Sequence, residues 1–307
     1  MKNNILAVLL CLCGAAAMQS CNEPKRDANA ETLFAGKAEI VCDEEIAPLI
    51  QTAIIGFDSA NASAVVTLKP ATSRTAYADL LGGSARLIVV ARPYLYDEDS
   101  LMKKFGVVAH KDFHVATDAL VFFANKQFPT DTLPAAALKA YFSNATPLSS
   151  SLPFLKNAPQ FYAPQPSSSV TANLVRYCGN GRTIKEKTIS RYFSSGDSVR
   201  AAVQQNTNAI GVGLLSQLCN DTARFKMLRI GYTDSTGAYT KLTVHQSTVY
   251  RNMYPYPVRI TALLKEDLRN FPFGVASYLA TEAKPQRSFL TNGIVPAYAK
   301  IRLLEEE

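Results

Sequence analysis

Residues 38–41, 64–68 and 85–90 are short runs dominated by Val, Ile, Leu and Ala, and the stretches between them carry helical signals. In the first stretch Ile46, Leu49, Ile50, Ile54 and Phe57 fall on one helical face, with Pro48 tolerated in the opening turn. In the second, residues 75–81 form a shorter helix stopped by Gly82-Gly83. Parallel strands need a crossover, and a helix is the usual one. Strand, helix, strand, helix, strand therefore predicts an α/β layer with a mostly parallel sheet. The run 85–90 is apolar throughout, as a strand covered on both faces requires.

The same grammar returns further along. Residues 119–124 and 161–163 read as buried strands, 134–141 as a short helix, and Val170, Leu174, Val175 and Cys178 as one helical face ended by Gly179. A helix near 198–205 leads into the glycine-bearing strand 209–213. Residues 244–250 look extended, 250–257 read as a packed aromatic and proline-rich loop, and 272–283 look helical. Two α/β units result, about 34–115 and 116–243. The part after 244 lacks a linker and is expected to return to the first unit.

The N-terminus carries a different message. Lys2 precedes an apolar run over 5–18, too short for a comfortable membrane span, and the chain turns polar at once after Cys21. This pattern resembles a lipoprotein signal, residues 1–20, with Cys21 acylated as the mature N-terminus and 21–33 as a tether. Cys42, Cys178 and Cys219 are then left as an odd set without any Cys-x-x-Cys, expected to be free buried thiols and not a zinc site. With 48% hydrophobic and 19% charged residues the 307-residue chain is a folded globular protein. Its net charge of +7 is spread without the clustered Lys/Arg stripe of a nucleic-acid surface.

Three turns share one design, in which a strand ends, small or polar residues follow, and a helix begins. They are Cys42-Asp43-Glu44-Glu45, Thr72-Ser73-Arg74-Thr75 and Ser167-Ser168-Ser169. Helix N-termini offer unpaired N–H groups and a positive dipole end, which either a capping hydroxyl or a bound anion satisfies. Ligands collect at such strand ends in α/β sheets. Catalytic signals are weak: His110, His114 and His245 lack metal-ligand spacing, the three serines lack the Gly-x-Ser-x-Gly elbow, and Gly211-x-Gly213 is not a dinucleotide fingerprint. A hydrolase using that serine loop would need a histidine or lysine base within reach.

Taken in order, these segments resemble the phosphate-binding component of ABC transporters, a periplasmic solute-binding protein, in a divergent lipoprotein branch. The resemblance spans about 34–300. It rests on residues 40–45, 80–93, 117–121, 208–212, 254–257 and 289–296. It implies two α/β lobes joined by two hinge crossovers, near 113–118 and 240–250, with an interlobe ligand cleft. Lobe 1 would hold 34–115 plus 244–307, and lobe 2 would hold 116–243. Carried over residue by residue, the ligand groups fall at Asp43, Glu44, Glu45, Ser73, Arg74, Thr75, Ala91 and Arg92 in the first lobe, and at Ser167, Ser168 and Ser169 in the second. The family's second-lobe arginine is missing, since Ala163, Pro164 and Gln165 stand there. Arg74 and Arg92 are expected to supply that charge, arginine being suited to bidentate oxyanion contacts. The implied protein is a monomer without cofactor or enzymatic activity. It would be anchored by lipid in the cell envelope and capture phosphate or a similar oxyanion for ABC transporter membrane subunits. The other reading is a sensor or structural lipoprotein that keeps the fold without the anion site.

Overall fold

The computed structural model describes residues 31–298 apart from 109, 156 and 234–236. The signal-like segment and Cys21 lie outside the described residues. Among the described residues no helix is long and apolar enough to cross a membrane.

The first unit runs β1 (Gly36–Asp43), α1 (Ala47–Ala60), β2 (Ala64–Ala71), α2 (Ser73–Gly82), β3 (Leu87–Val90) and α3 (Tyr96–Lys104). The long β4 (Lys111–Asn125) leads to β5 (Thr132–Pro134), α4 (Ala135–Asn144), β6 (Gln160–Pro164), α5 (Ser169–Cys178), β7 (Arg191–Phe193), α6 (Gly196–Gln205) and β8 (Ala209–Leu214). The short α7 (Leu215–Leu218), β9 (Phe225–Met227), β10 (Arg229–Thr233) and β11 (Tyr239–Leu242) follow. The chain ends in α8 (Gln246–Tyr250), β12 (Pro257–Leu264), α9 (Phe271–Thr281), α10 (Ala283–Thr291) and β13 (Val295–Pro296).

The main sheet has the order β2-β1-β3-β12-β4-β8-β6-β7. β1 is parallel to β2 and β3, and β6 is parallel to β7 and β8. The antiparallel pairings gather at β4 and β12: β12 runs antiparallel to both β3 and β4, and β8, β9 and β13 run antiparallel to β4. One strand serves both halves, because β4 pairs with β12 over 111–119 and with β8 over 120–124. The result is a two-lobed α/β fold whose half-sheets share β4. At the handover Asp118 is fully buried, and it accepts from Ser216 Oγ at 2.5 Å, Ser216 N at 3.2 Å and Ala119 N at 2.7 Å. It therefore pins the start of α7 to the shared strand.

The part after residue 244 packs back through β12, α9 and α10. Phe57 of α1 lies between Phe271, at 5.9 Å, and Tyr278, at 5.0 Å, both on α9. Tyr254 reaches in to donate to the Leu120 carbonyl at 2.9 Å. Residues 244–250 do not form the extended segment expected of Val, Thr and Tyr. Instead the His245 side chain accepts from Ser247 N at 3.2 Å and caps the single turn of α8. A local capping bond here outweighs β-propensity. Cys42, Cys178 and Cys219 are free thiols, the first two buried.

Candidate functional site

The carboxyl ends of β1 and β3 meet at Asp43. Its side chain is fully buried, yet both oxygens are occupied: Oδ2 accepts from Ala91 N at 3.1 Å and Oδ1 from Glu45 N at 3.2 Å. Burial raises its pKa, while the nearby Ser169 side chain, the two backbone N–H groups and Arg92 pull it back. Ser169 Oγ is itself buried without a hydrogen-bond partner.

Next to it stands the N-terminus of α2. Thr72 caps the helix by accepting from Thr75 N at 3.2 Å, so Thr75 serves the cap. The Ser73 hydroxyl and the Arg74 N–H both donate to one acceptor, the Ser167 carbonyl of the other lobe, at 3.2 Å each. An oxygen of this protein thus sits where an anion would meet the helix end. Opposite, Ser168 caps α5 by accepting from Thr171 N at 3.2 Å, and Asn173 Nδ2 reaches back to donate to the Ala91 carbonyl at 2.7 Å. Among the described residues neither the Ser168 nor the Ser169 hydroxyl has a histidine or lysine hydrogen-bond partner.

Arg92 is 2% exposed and does not stand free toward the cleft. Its Nη1 and Nη2 donate to the two Glu98 oxygens at 2.7 and 2.8 Å, and Nε donates to Ser73 Oγ at 2.8 Å. The guanidinium also lies 4.3 Å from the Tyr77 ring centroid. Glu98 further accepts from Leu95 N at 2.8 Å and Arg74 Nη1 at 3.1 Å, and Asp97 pairs with Arg74 as well. The expected oxyanion arginines are therefore both held by carboxylates of α3. What Arg92 does is brace Ser73.

A second group of cross-lobe contacts surrounds Glu45. Gln217 Nε2 donates to Glu45 Oε2 at 2.6 Å and to the Glu45 carbonyl at 3.1 Å, while Oε1 is buried without a partner. Burial is the main cause that pushes the Glu45 pKa up to about 7. Gly196, at the start of α6, permits this approach, since a Cβ there would lie 2.7 Å from Oε2. Glu44 is half-buried and accepts from Gln165 at 3.3 Å. A cavity of about 350 Å³ adjoins these residues, lined also by Ser195, Arg200 and Asn292.

A larger cavity, about 650 Å³, is lined by the start of α2, the segment that follows β3, and α5 with the turn before it. Among the described residues Ser167 and Ser168 line it with Tyr94, Tyr96, Asn173, Asp97 and the arginines Arg74, Arg92, Arg176 and Arg182, of which the first two are paired with Asp97 and Glu98. The structure thus gathers Asp43, Ala91, Ser73, Arg92 and Ser169 at one buried point, puts Arg74, Ser167 and Ser168 on the cavity wall, and sets Glu44 and Glu45 beside the smaller cavity. Glu98, Asn173, Gln217, Arg176 and Arg182 are not visible as site residues from sequence. The one available signal was the acidic Tyr96-Asp97-Glu98-Asp99 run, a helix first turn.

A family model described as PBP superfamily domain matches residues 27–270. No curated protein matches the chain. Among solved structures, a putative phosphate ABC transporter substrate-binding protein with bound phosphate from Clostridium perfringens is similar at 15% identity and a TM-score of 0.69, covering 85% of this chain and 99% of that one. An ABC-type phosphate transport receptor from Vibrio cholerae is similar at 13% identity and a TM-score of 0.62, covering 85% and 100%. The regulatory domain of Synechocystis CcmR in complex with 2-PG is similar at 13% identity and a TM-score of 0.53, covering 80% and 95%. At these identities the likeness is one of fold.

Proposed function

The chain belongs to the PBP superfamily, and from that premise we propose that it is a solute-binding protein that captures an oxyanion between its lobes for an ABC transporter. Phosphate is the ligand named for the two transport proteins that the fold is similar to. The observation that carries the reading is the cavity of about 650 Å³ beside the N-termini of α2 and α5, whose lining includes Arg176 and Arg182, neither paired with a carboxylate among the described residues, beside Arg74 and Arg92, which Asp97 and Glu98 hold. Arginine forks and helix N-termini both favour oxyanions. The working lobes are 34–115 plus 244–307 and 116–243, and ligand-linked closure would turn about the crossovers. Attachment to the membrane through an acylated Cys21 completes the proposal. Mass spectrometry of the mature N-terminus checks it, and an unmodified N-terminus at another residue would rule it out.

One observation favours the second reading, a sensor or structural lipoprotein. Asp43, Ser167 and Glu98 already occupy the innermost donors. Isothermal titration of the full-length protein with inorganic phosphate, sulfate and phenyl phosphate separates the two. Saturable one-to-one binding of at least one of them, with none for choline, is expected of the solute-binding reading. Absence of binding to all three oxyanions would select the second.

A further inference from the structure

We infer that the solute is an organic oxyanion held in the outer cleft by Arg176 and Arg182, and not a bare inorganic ion engulfed at the inner helix ends. The inference rests on the oxyanion-binding reading and narrows it. The inner donors are already satisfied within the chain. Ala91 N and Glu45 N serve the Asp43 carboxylate, Ser73 Oγ and Arg74 N serve the Ser167 carbonyl, and Arg92 serves Glu98. A fully ionised oxyanion placed there would also meet the buried Asp43 carboxyl, a like charge with which it shares donors.

The outer wall is different. Among the described residues neither Arg176 nor Arg182 makes an ion pair with a carboxylate, whereas Arg74 and Arg92 both do. Arg182 stacks its guanidinium 3.9 Å from the Tyr96 ring centroid across the cleft, and Arg176 lies 5.1 Å from the Tyr177 ring. Stacking fixes the plane of a guanidinium while leaving its edge free for a bidentate contact. The uncompensated charge of this cavity therefore resides on these two side chains.

Size points to the same class of ligand. Small-molecule sites run to roughly 300–1,000 Å³, and this cavity holds about 650 Å³. A bare tetrahedral oxyanion would fill a small part of it, at ~30 Å³ for each water-sized unit. Tyr94 and Tyr96 offer aromatic surface beside the arginines, and a neighbouring cavity of about 420 Å³ shares Tyr94 and Arg176 with the first. The ligand class that matches is a phosphate monoester or carboxylate carried on a ring-bearing body.

The test compares phenyl phosphate with inorganic phosphate by isothermal titration of the full-length protein and of Arg176→Ala, Arg182→Ala and the double variant. Both side chains are exposed, so the variants should melt with the wild type, and a thermal melt verifies this. Phenyl phosphate should bind at least tenfold more tightly than phosphate. Each single variant should weaken it about ten- to a hundredfold, the loss of one charge-assisted contact. Equal affinities for the two ligands, unchanged in the double variant, would overturn this inference while leaving the oxyanion reading standing. No binding of either, nor of sulfate, would overturn both.

Discussion

Replacing Glu98 by alanine should destabilise the protein by about 3–5 kcal/mol, because it strands a charge in the interior. Glu98 is 3% exposed and Arg92 2% exposed, and together they form a bidentate pair at 2.7 and 2.8 Å. With Glu98 gone, the buried guanidinium keeps only the Ser73 hydroxyl, the Pro93 carbonyl and the Tyr77 ring. Leu95 N also loses its acceptor at the start of α3. For a domain of this size the loss corresponds to roughly 6–20 °C in Tm, at about 2–4 °C per kcal/mol. Glu98→Gln keeps the shape and the Leu95 contact but not the charge, and should fall between the alanine variant and wild type. Thermal melts of the three proteins check this. A Glu98→Ala protein that melts within 2 °C of wild type, by the same scale, would show that the pair contributes nothing net.

Glu45→Gln should flatten the dependence of stability on pH, and the sign follows from the raised pKa. The group titrates at about 7 in the folded protein, against an ordinary 4.5, mainly because it is buried. Gln217 and Arg200 favour the ionised form, while Asp43 and Glu44 oppose it. Asp197, paired with Arg200, and the N-terminus of α6 complete its surroundings. Below the unfolded value both states hold the proton, and the full stabilisation is present. As pH rises through the window from 4.5 to about 7, the unfolded chain gives up its proton while the folded protein keeps it, so stability falls. At 1.36 kcal/mol per pH unit the total is about 3 kcal/mol. Glutamine can still accept from Gln217 but has no proton to lose. The variant should therefore match wild type at acid pH and exceed it above pH 7. Asp118, raised to about 6 by burial, leaves a residual slope of the same sign in both proteins. Urea denaturation across this range measures it, and parallel profiles for the two proteins would remove Glu45 as the cause.

The alternation of strands and helices was readable because strands covered on both faces must be continuous apolar runs; β3, Leu87–Val90, is buried at every residue. Hydroxyl caps were readable for the same local reason, and Thr72 and Ser168 both cap the helices that follow them. What escaped depends on tertiary partners. Tyr96–Lys104 is polar, burying only Glu98 and Met102, so it shows no apolar face, yet it holds the partner of Arg92. β12 was hidden behind Pro255 and Pro257, which mark a loop when no sheet is in view. Ser73 and Ser167 were both picked out as ligand groups. That one would bond to the other across the cleft is a matter of lobe placement, which no local pattern encodes. Arg176 and Arg182 look like ordinary surface arginines until the cavity wall brings them together.

A crystal structure of the full-length protein with phenyl phosphate should place the phosphoryl oxygens within hydrogen-bond distance of Arg176 and Arg182 between the two lobes, with the ring beside Tyr94 or Tyr96 and Asp43 still accepting from Ala91 N. A phosphoryl group bound instead at Ala91 N and Ser73 with Asp43 displaced, or ligand located only outside the cleft, would contradict an outer-cleft site.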